Sequence, residues 1–244
     1  MHGTVRSISG EETRLLEKGF TIPNRVSALM KACKVPSKDL ERGAQIKRSR
    51  GGAKSHLALH YGKLRQRKCE LRILEDTKDH AKLKAFLEEV VVRHELEHPQ
   101  LRKFLGISTF PAYTIVLSDT ENSCTLRDLL WKEEGFELSL HCGLADILCG
   151  VASGLGRVHS ARAVHGSISA DVVLVTMASG STQAVLDGLE TVTSNIPQKF
   201  GIFPLEVPLE IPRAGGKWYQ APEVLRGEAP RMKSDVFSLG MVRA

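Results

Sequence analysis

Lys217-Trp218-Tyr219-Gln220-Ala221-Pro222-Glu223-Val224-Leu225, followed by Ser234-Asp235-Val236-Phe237-Ser238-Leu239-Gly240, is the stretch whose reading decides the architecture of this chain. A helix starts at Ser234, and a long segment rich in Pro and Gly precedes it and runs to Gly216. Further upstream lie a strand Ala184 to Leu186, a turn Ala178 to Ser181, a strand Val172 to Val175 and a compact polar loop from His165 to Asp171. Before that loop, Leu144, Ile147, Leu148, Val151, Leu155 and Val158 form the continuous apolar stripe of a helix in a helical core. Thr125 caps a shorter helix, with Asp128 reaching back and Leu126, Leu129 and Leu130 following the cap.

The first half has a different character. From Ala58 to Leu74, short apolar alternations broken by Gly62 and charge clusters predict two antiparallel strands. Leu83, Phe86, Leu87, Val90 and His94 recur at helical spacing between Asp79 and Leu96, and Pro99 stops that helix. Leu101 to Ile107 and Tyr113 to Leu117 read as two more strands. Residues 1–37 are polar and loosely patterned, with one helix around Val26 to Lys34, and read as a leader or linker without chemistry. The expectation is an α+β chain: a small antiparallel sheet lobe with one helix over residues 38–117, then a mainly helical lobe over 118–244.

The composition, 42% hydrophobic and 25% charged over 244 residues, is that of a globular chain able to bury a sizeable core. Charged residues interrupt every apolar stretch well before the ~18 residues that span a bilayer, and Met1 to Glu11 lacks a secretory core, so a cytoplasmic location is expected. Five scattered cysteines without a C-x-x-C pair argue against a disulfide framework or a zinc knuckle. Between Arg42 and Arg72 ten basic residues face one acid, Glu70, a distribution suited to phosphates or to an anionic membrane surface. Tyr61 is the one aromatic among them, which disfavours nucleic acid.

The order of these elements, from about residue 38 onward, resembles the protein kinase family. Lys217 to Leu225 is similar to the end of an activation segment, with Ala221-Pro222-Glu223 as its A-P-E motif, and Ser234 to Gly240 to the helix whose Asp235 holds the catalytic loop. Phe86-Leu87-Glu88-Glu89-Val90 with Leu96-Glu97-His98-Pro99 resembles the regulatory helix, Glu89 standing where the partner of the catalytic Lys belongs. Within the family, Thr125-Leu126-Arg127-Asp128-Leu129-Leu130, Gly154-Leu155-Gly156-Arg157-Val158-His159 and Val164-His165-Gly166-Ser167 resemble the tyrosine-kinase-like branch, near the receptor-interacting kinases and the mixed lineage kinase domain-like pseudokinase. The resemblance implies a two-lobed kinase fold that stops at Ala244 without its last helices, before the Arg that pairs with Glu223 in the family.

What the resemblance implies for chemistry is mostly loss. The catalytic loop reads His165-Gly166-Ser167-Ile168-Ser169-Ala170-Asp171-Val172, so Ser167 stands at the base position and Val172 at a metal-ligand position. A hydroxyl is no proton acceptor near neutral pH, and an isopropyl group has no ligand atom. The Lys position falls on Arg72, expected to form a structural pair with Glu89, since a planar guanidinium does not place its charge where an ammonium would. Gly51 and Gly52 are adjacent and lack the spacing of a phosphate loop, which makes them a surface turn. At Leu186-Asp187-Gly188-Leu189-Glu190, the preferred ungapped reading puts Gly188 at the remaining metal position. A one-residue deletion would instead keep Asp187 as the ligand.

His165 and Asp235 fit a retained structural framework. The expected function is a catalytically impaired signalling module that binds a protein partner, a receptor-interacting kinase in necroptosis or innate immunity being the class implied. Glu190 to Gly216 would act as its switch, with Thr191, Thr193 and Ser194 as phosphate acceptors. No cofactor is required by this reading. A nucleotide binder without turnover is an intermediate reading that needs only Leu117 at the back of the cleft and backbone donors at Ser118 to Thr120 to hold ATP, and magnesium is not expected. The alternative is an ATP-dependent protein kinase with weak phosphotransfer.

Overall fold

The computed structural model describes residues 21–46, 57–119, 123–131, 143–178, 181–202 and 216–242. Strands β1 (Leu40–Gln45), β2 (Ala58–Leu64), β3 (Arg67–Ile73), β4 (Phe104–Ser108) and β5 (Thr114–Ser118) pair antiparallel in the order β1-β2-β3-β5-β4. Side chains alternate across a strand, so the two faces of β3 divide its residues. Cys69, Leu71 and Ile73 pack outward with Val35 and Val116, whereas Glu70 and Arg72 point to the other face, opposite Tyr61 and Leu59.

Helix α1 (Asn24–Ala32) precedes the sheet, and helix α2 (His80–Glu95) follows β3. The Asp79 carboxylate caps α2 by accepting from the amides of Ala81 at 2.9 Å and Lys82 at 3.2 Å. Leu83, Phe86, Leu87 and Val90 are fully buried, as their spacing predicts, and the Phe86 ring meets Tyr113 edge-on at 5.8 Å.

The second half holds an antiparallel sheet of β6 (Ser123–Thr125), β7 (Val173–Ala178) and β8 (Ser181–Leu186), with α3 (Leu126–Trp131) and α4 (Gly143–Ser160) packed on it. Ile147, Val151, Leu155 and Val158 give α4 its buried face. Three helices complete the described chain: α5 (Ile196–Lys199), α6 (Pro222–Leu225) and α7 (Met232–Val242). One buried cluster runs from Leu29 through α2 and Leu101 to α4 and Leu186, so the two halves share a core. This is the α+β, two-lobed architecture expected.

Residues 21–35 depart from the reading as a linker. Val26, Leu29 and Met30, at i, i+3 and i+4, are buried in the shared core, so α1 is part of the fold. Strand β1 was not foreseen either. It is an edge strand with mostly exposed residues and carries no apolar alternation.

Candidate functional site

The cleft between the lobes is built by one backbone pairing. Leu101 bridges to Leu186, with the Leu186 amide donating to Gln100 O at 2.8 Å and the Arg102 amide donating to Leu186 O at 3.0 Å. The residues that follow on each chain, Arg102 and Asp187, are thereby set side by side, and Arg102 Nη1 lies 2.7 Å from Asp187 Oδ2. Strand β3 brings Arg72 from above and α2 brings Glu89 and Arg93 from the side. The short turn after Gly188 brings Glu190 from below.

Three guanidinium groups and four carboxylates meet there. Arg72 Nη1 donates to Glu190 at 2.7 Å and to Glu89 at 3.3 Å, and its Nη2 lies 3.4 Å from Asp187. Arg93 Nε donates to Glu89 at 2.7 Å and its Nη2 to Glu190 at 3.1 Å. Arg102 Nη1 also donates to Glu70 at 2.9 Å. Arg72, Arg93, Arg102, Glu70, Glu89 and Asp187 are each at most 5% exposed. Burial alone would push Asp187 up, but Arg102, Arg72 and Arg93 overcome it and hold the carboxyl well below the usual range. Glu190 is lowered against the same burial, chiefly by Arg72. Burial works against the charge of Arg72 too, and Glu190, Asp187, Glu89 and Glu70 hold it more firmly protonated than an ordinary arginine.

The Arg72 and Glu89 pair expected from sequence is present, but as one edge of this larger cluster. Arg93, Arg102, Glu70 and Glu190 were not foreseen as members. Their signal was a charge inside an apolar run: Arg93 follows Val90-Val91-Val92, four residues after Glu89, and Arg102 follows Leu101 in a segment read as strand. Arg72 is also lost from the basic face assigned to Arg42 through Arg72, since it is buried. Asp187 turns its carboxylate into the cluster, bonded to Arg102 and beside Arg72, which corrects the ungapped reading of Gly188 at that place. Gly188 takes a left-handed φ of 85°, and a Cβ there would stand 3.1 Å from both His165 and Val172.

The framework beneath the cleft follows the expected pattern. Asp235 accepts from the amides of His165 and Gly166 at 2.8 Å each, and its Oδ2 lies 2.9 Å from His159 Nε2. His165 is fully buried, with Nε2 2.8 Å from the Asp187 carbonyl, so that nitrogen carries the donated proton. Ser167 and Val172 are both 5% exposed, Val172 within the hydrophobic core. Ala221 is buried and Pro222 opens α6. Glu223, expected to lack its partner, is half-buried and accepts from Ser234 Oγ at 2.6 Å, which holds its carboxyl below the usual range. Gly240 sits on an open face of α7. Gly51 and Gly52 lie outside the described residues.

The site does not suit a nucleotide with its metal. Leu117 is buried at the back of the cleft, but the Ser118 amide is spent on Lys103 O at 3.0 Å and the Ser118 carbonyl accepts from Arg102 Nη2 at 3.0 Å. Thr120 lies outside the described residues. Magnesium needs hard oxygen donors free to face it, whereas Asp187 is already bonded to guanidinium and Val172 offers none. Burial pushes the Cys69 thiol up to about 11 and raises that of Cys33, which keeps both protonated and unreactive.

Comparison with known proteins agrees with this geometry at the level of family. The rat dual specificity testis-specific protein kinase 1 is 29% identical over 161 residues, covering 64% of this chain and 24% of the relative. Human dual specificity testis-specific protein kinase 2 is 26% identical over 156 residues, 64% of this chain and 26% of the relative. A probable serine/threonine-protein kinase of Dictyostelium discoideum is 26% identical over 188 residues, 75% of this chain and 11% of the relative. The chain thus spans about a quarter or less of the length of these relatives. Their names carry the assignment to kinases and give no support to the receptor-interacting branch. Residues 37–243 match the protein tyrosine and serine/threonine kinase family, and the chain belongs to that family.

Proposed function

We propose that this kinase-family chain is catalytically impaired and works by binding protein partners, with its cleft filled by its own side chains. The observation that carries the reading is Arg102. One guanidinium bonds the Asp187 carboxylate and the Ser118 carbonyl together, spanning the cleft from its metal-ligand side to the connection between the lobes. Phosphoryl transfer needs a carboxylate to take the substrate proton as the γ-phosphate moves to the hydroxyl oxygen, and cations to neutralise the phosphates. Ser167 supplies no base, a loss of roughly 10²- to 10⁴-fold by itself. Val172 supplies no ligand, and Asp187 is already engaged.

A receptor-interacting kinase in cell-death signalling remains the proposed partner class on sequence resemblance alone. Cytoplasmic residence belongs to the same proposal; among the described residues no helix is long and apolar enough to cross a membrane. Of the three hydroxyls in the proposed switch, Thr193 is exposed. Thr191 donates to the carbonyls of His165 and Gly188 at 2.9 Å each, and Ser194 Oγ accepts from the Ile196 amide at 3.2 Å. Residues 203–215 of that switch lie outside the described residues.

A weakly active ATP-dependent kinase is the reading favoured by the relatives, all three of which are named as kinases. On its side stands the place of Asp187 beside Arg72. Incubating the purified chain with labelled ATP, magnesium and a mixed peptide substrate separates the two. Label no higher than in an Asp187→Asn variant is expected; robust label that the substitution abolishes establishes the kinase.

A further inference from the structure

We infer that residues 21–35 are an intramolecular clamp that couples α2 to the segment 189–202, so that the order of one depends on the other. The clamp goes beyond the cleft reading, because the contacts of residues 23–35 lie outside the cleft and hold whether or not phosphate is transferred.

The segment 189–202 is fixed at two ends. Its first end carries Glu190 into the arginine cluster, onto Arg72 of β3 and Arg93 of α2. Its last end is held by the N-terminal residues. Arg25 Nη1 donates to the Lys199 carbonyl at 2.7 Å, and Pro23 lies so close to Gly201 that a Cβ there would stand 3.2 Å from it. Ile196 and Ile202, at 2% and 4% exposed, share the core with Val26, Leu29 and Met30.

The same N-terminal residues are fixed to the small lobe. Ile107 of β4 donates to Cys33 O at 3.0 Å and accepts from the Val35 amide at 2.7 Å, while Cys33 Sγ lies 3.7 Å from His94 Nδ1 on α2. Gly106, with φ of 141°, is what lets this strand-like contact close, since a Cβ would stand 2.5 Å from Cys33 O. Residues 21–35 therefore touch β4, α2 and the far end of the segment, adding an N-terminal tie to the direct packing of α2 on α5 and on residues 189–191. Elements packed into one core have discrete arrangements and do not deform continuously, which is how such a tie transmits order.

Hydrogen exchange on the whole chain tests this. Arg25→Ala removes one charged donor from an exposed position and leaves the apolar face intact. It is expected to raise exchange about tenfold in 196–202, the loss of one hydrogen bond from a charged group, and measurably in α2, with β2 and β3 unchanged. Glu190→Gln, acting from the opposite end, is expected to raise exchange in residues 24–35, because coupling between two sites is reciprocal. Val26→Asp should give the Arg25→Ala pattern more strongly; if it unfolds the chain, the other two variants decide. Arg25→Ala and Glu190→Gln effects that stay within their own elements would overturn the proposal.

Discussion

On the large-lobe side of the cleft, a single carboxylate, Asp235, takes two backbone amides at 2.8 Å each and keeps the loop around His165 in place. On the small-lobe side, three guanidinium groups and four carboxylates are packed almost without solvent around Asp187. The first arrangement depends on backbone donors that any loop sequence supplies. The second depends wholly on side-chain identity, and a change of residue there changes its chemistry. Keeping one and rebuilding the other separates the fold from the reaction.

The largest effect is expected where a buried charge is stranded. Arg72→Met leaves Glu190, Glu89 and Asp187 short of a cation, and chemical denaturation should show a loss of roughly 3–5 kcal/mol. Glu89→Gln added to it should return part of that loss, since contacting residues couple. On the other side, Asp235→Ala removes charge-assisted bonds to His165 and Gly166, and the same measurement should show roughly 1.5–3 kcal/mol. Equal losses from the two substitutions would erase the contrast between the regions.

Acid provides a further separation. Asp187 and Glu190 have carboxyl groups held below their ordinary values, the arginines outweighing burial. Stability from such groups is fully present above the unfolded carboxylate values near ~4 and is lost as pH falls below them. The melting temperature should therefore hold between about pH 8 and 5 and drop below about pH 4, and Glu190→Gln should soften the drop. Smallest of all is the exposed Arg65 and Asp39 pair, whose Arg65 side chain is 74% exposed. Arg65→Ala should cost less than about 1 kcal/mol.

Much of the framework was legible because it repeats at fixed spacing. The apolar stripe of α4 and the apolar face of α2 follow from local pattern, and the pairing of Asp235 with the loop at His165 follows from the resemblance to the kinase family. The charge cluster was not, because its members come from four separate stretches and only the Leu101 and Leu186 bridge brings Arg102 to Asp187. Arg102 looks like an outward residue of a strand until that bridge is known. Glu190 marked the start of the expected switch, yet its carboxylate answers Arg72 and Arg93. Helix α1 was visible as a helix, but not its burial, since its partners Ile196 and Ile202 lie far along the chain.

Calorimetric titration of the purified chain with ATP, run with and without magnesium, bears most directly on the occupied cleft. The arginine cluster predicts no saturable heat at millimolar nucleotide in either condition, and none gained on adding the metal. Saturable binding that tightens with magnesium would contradict it, because Asp187 would then have to leave Arg102 and face the ion.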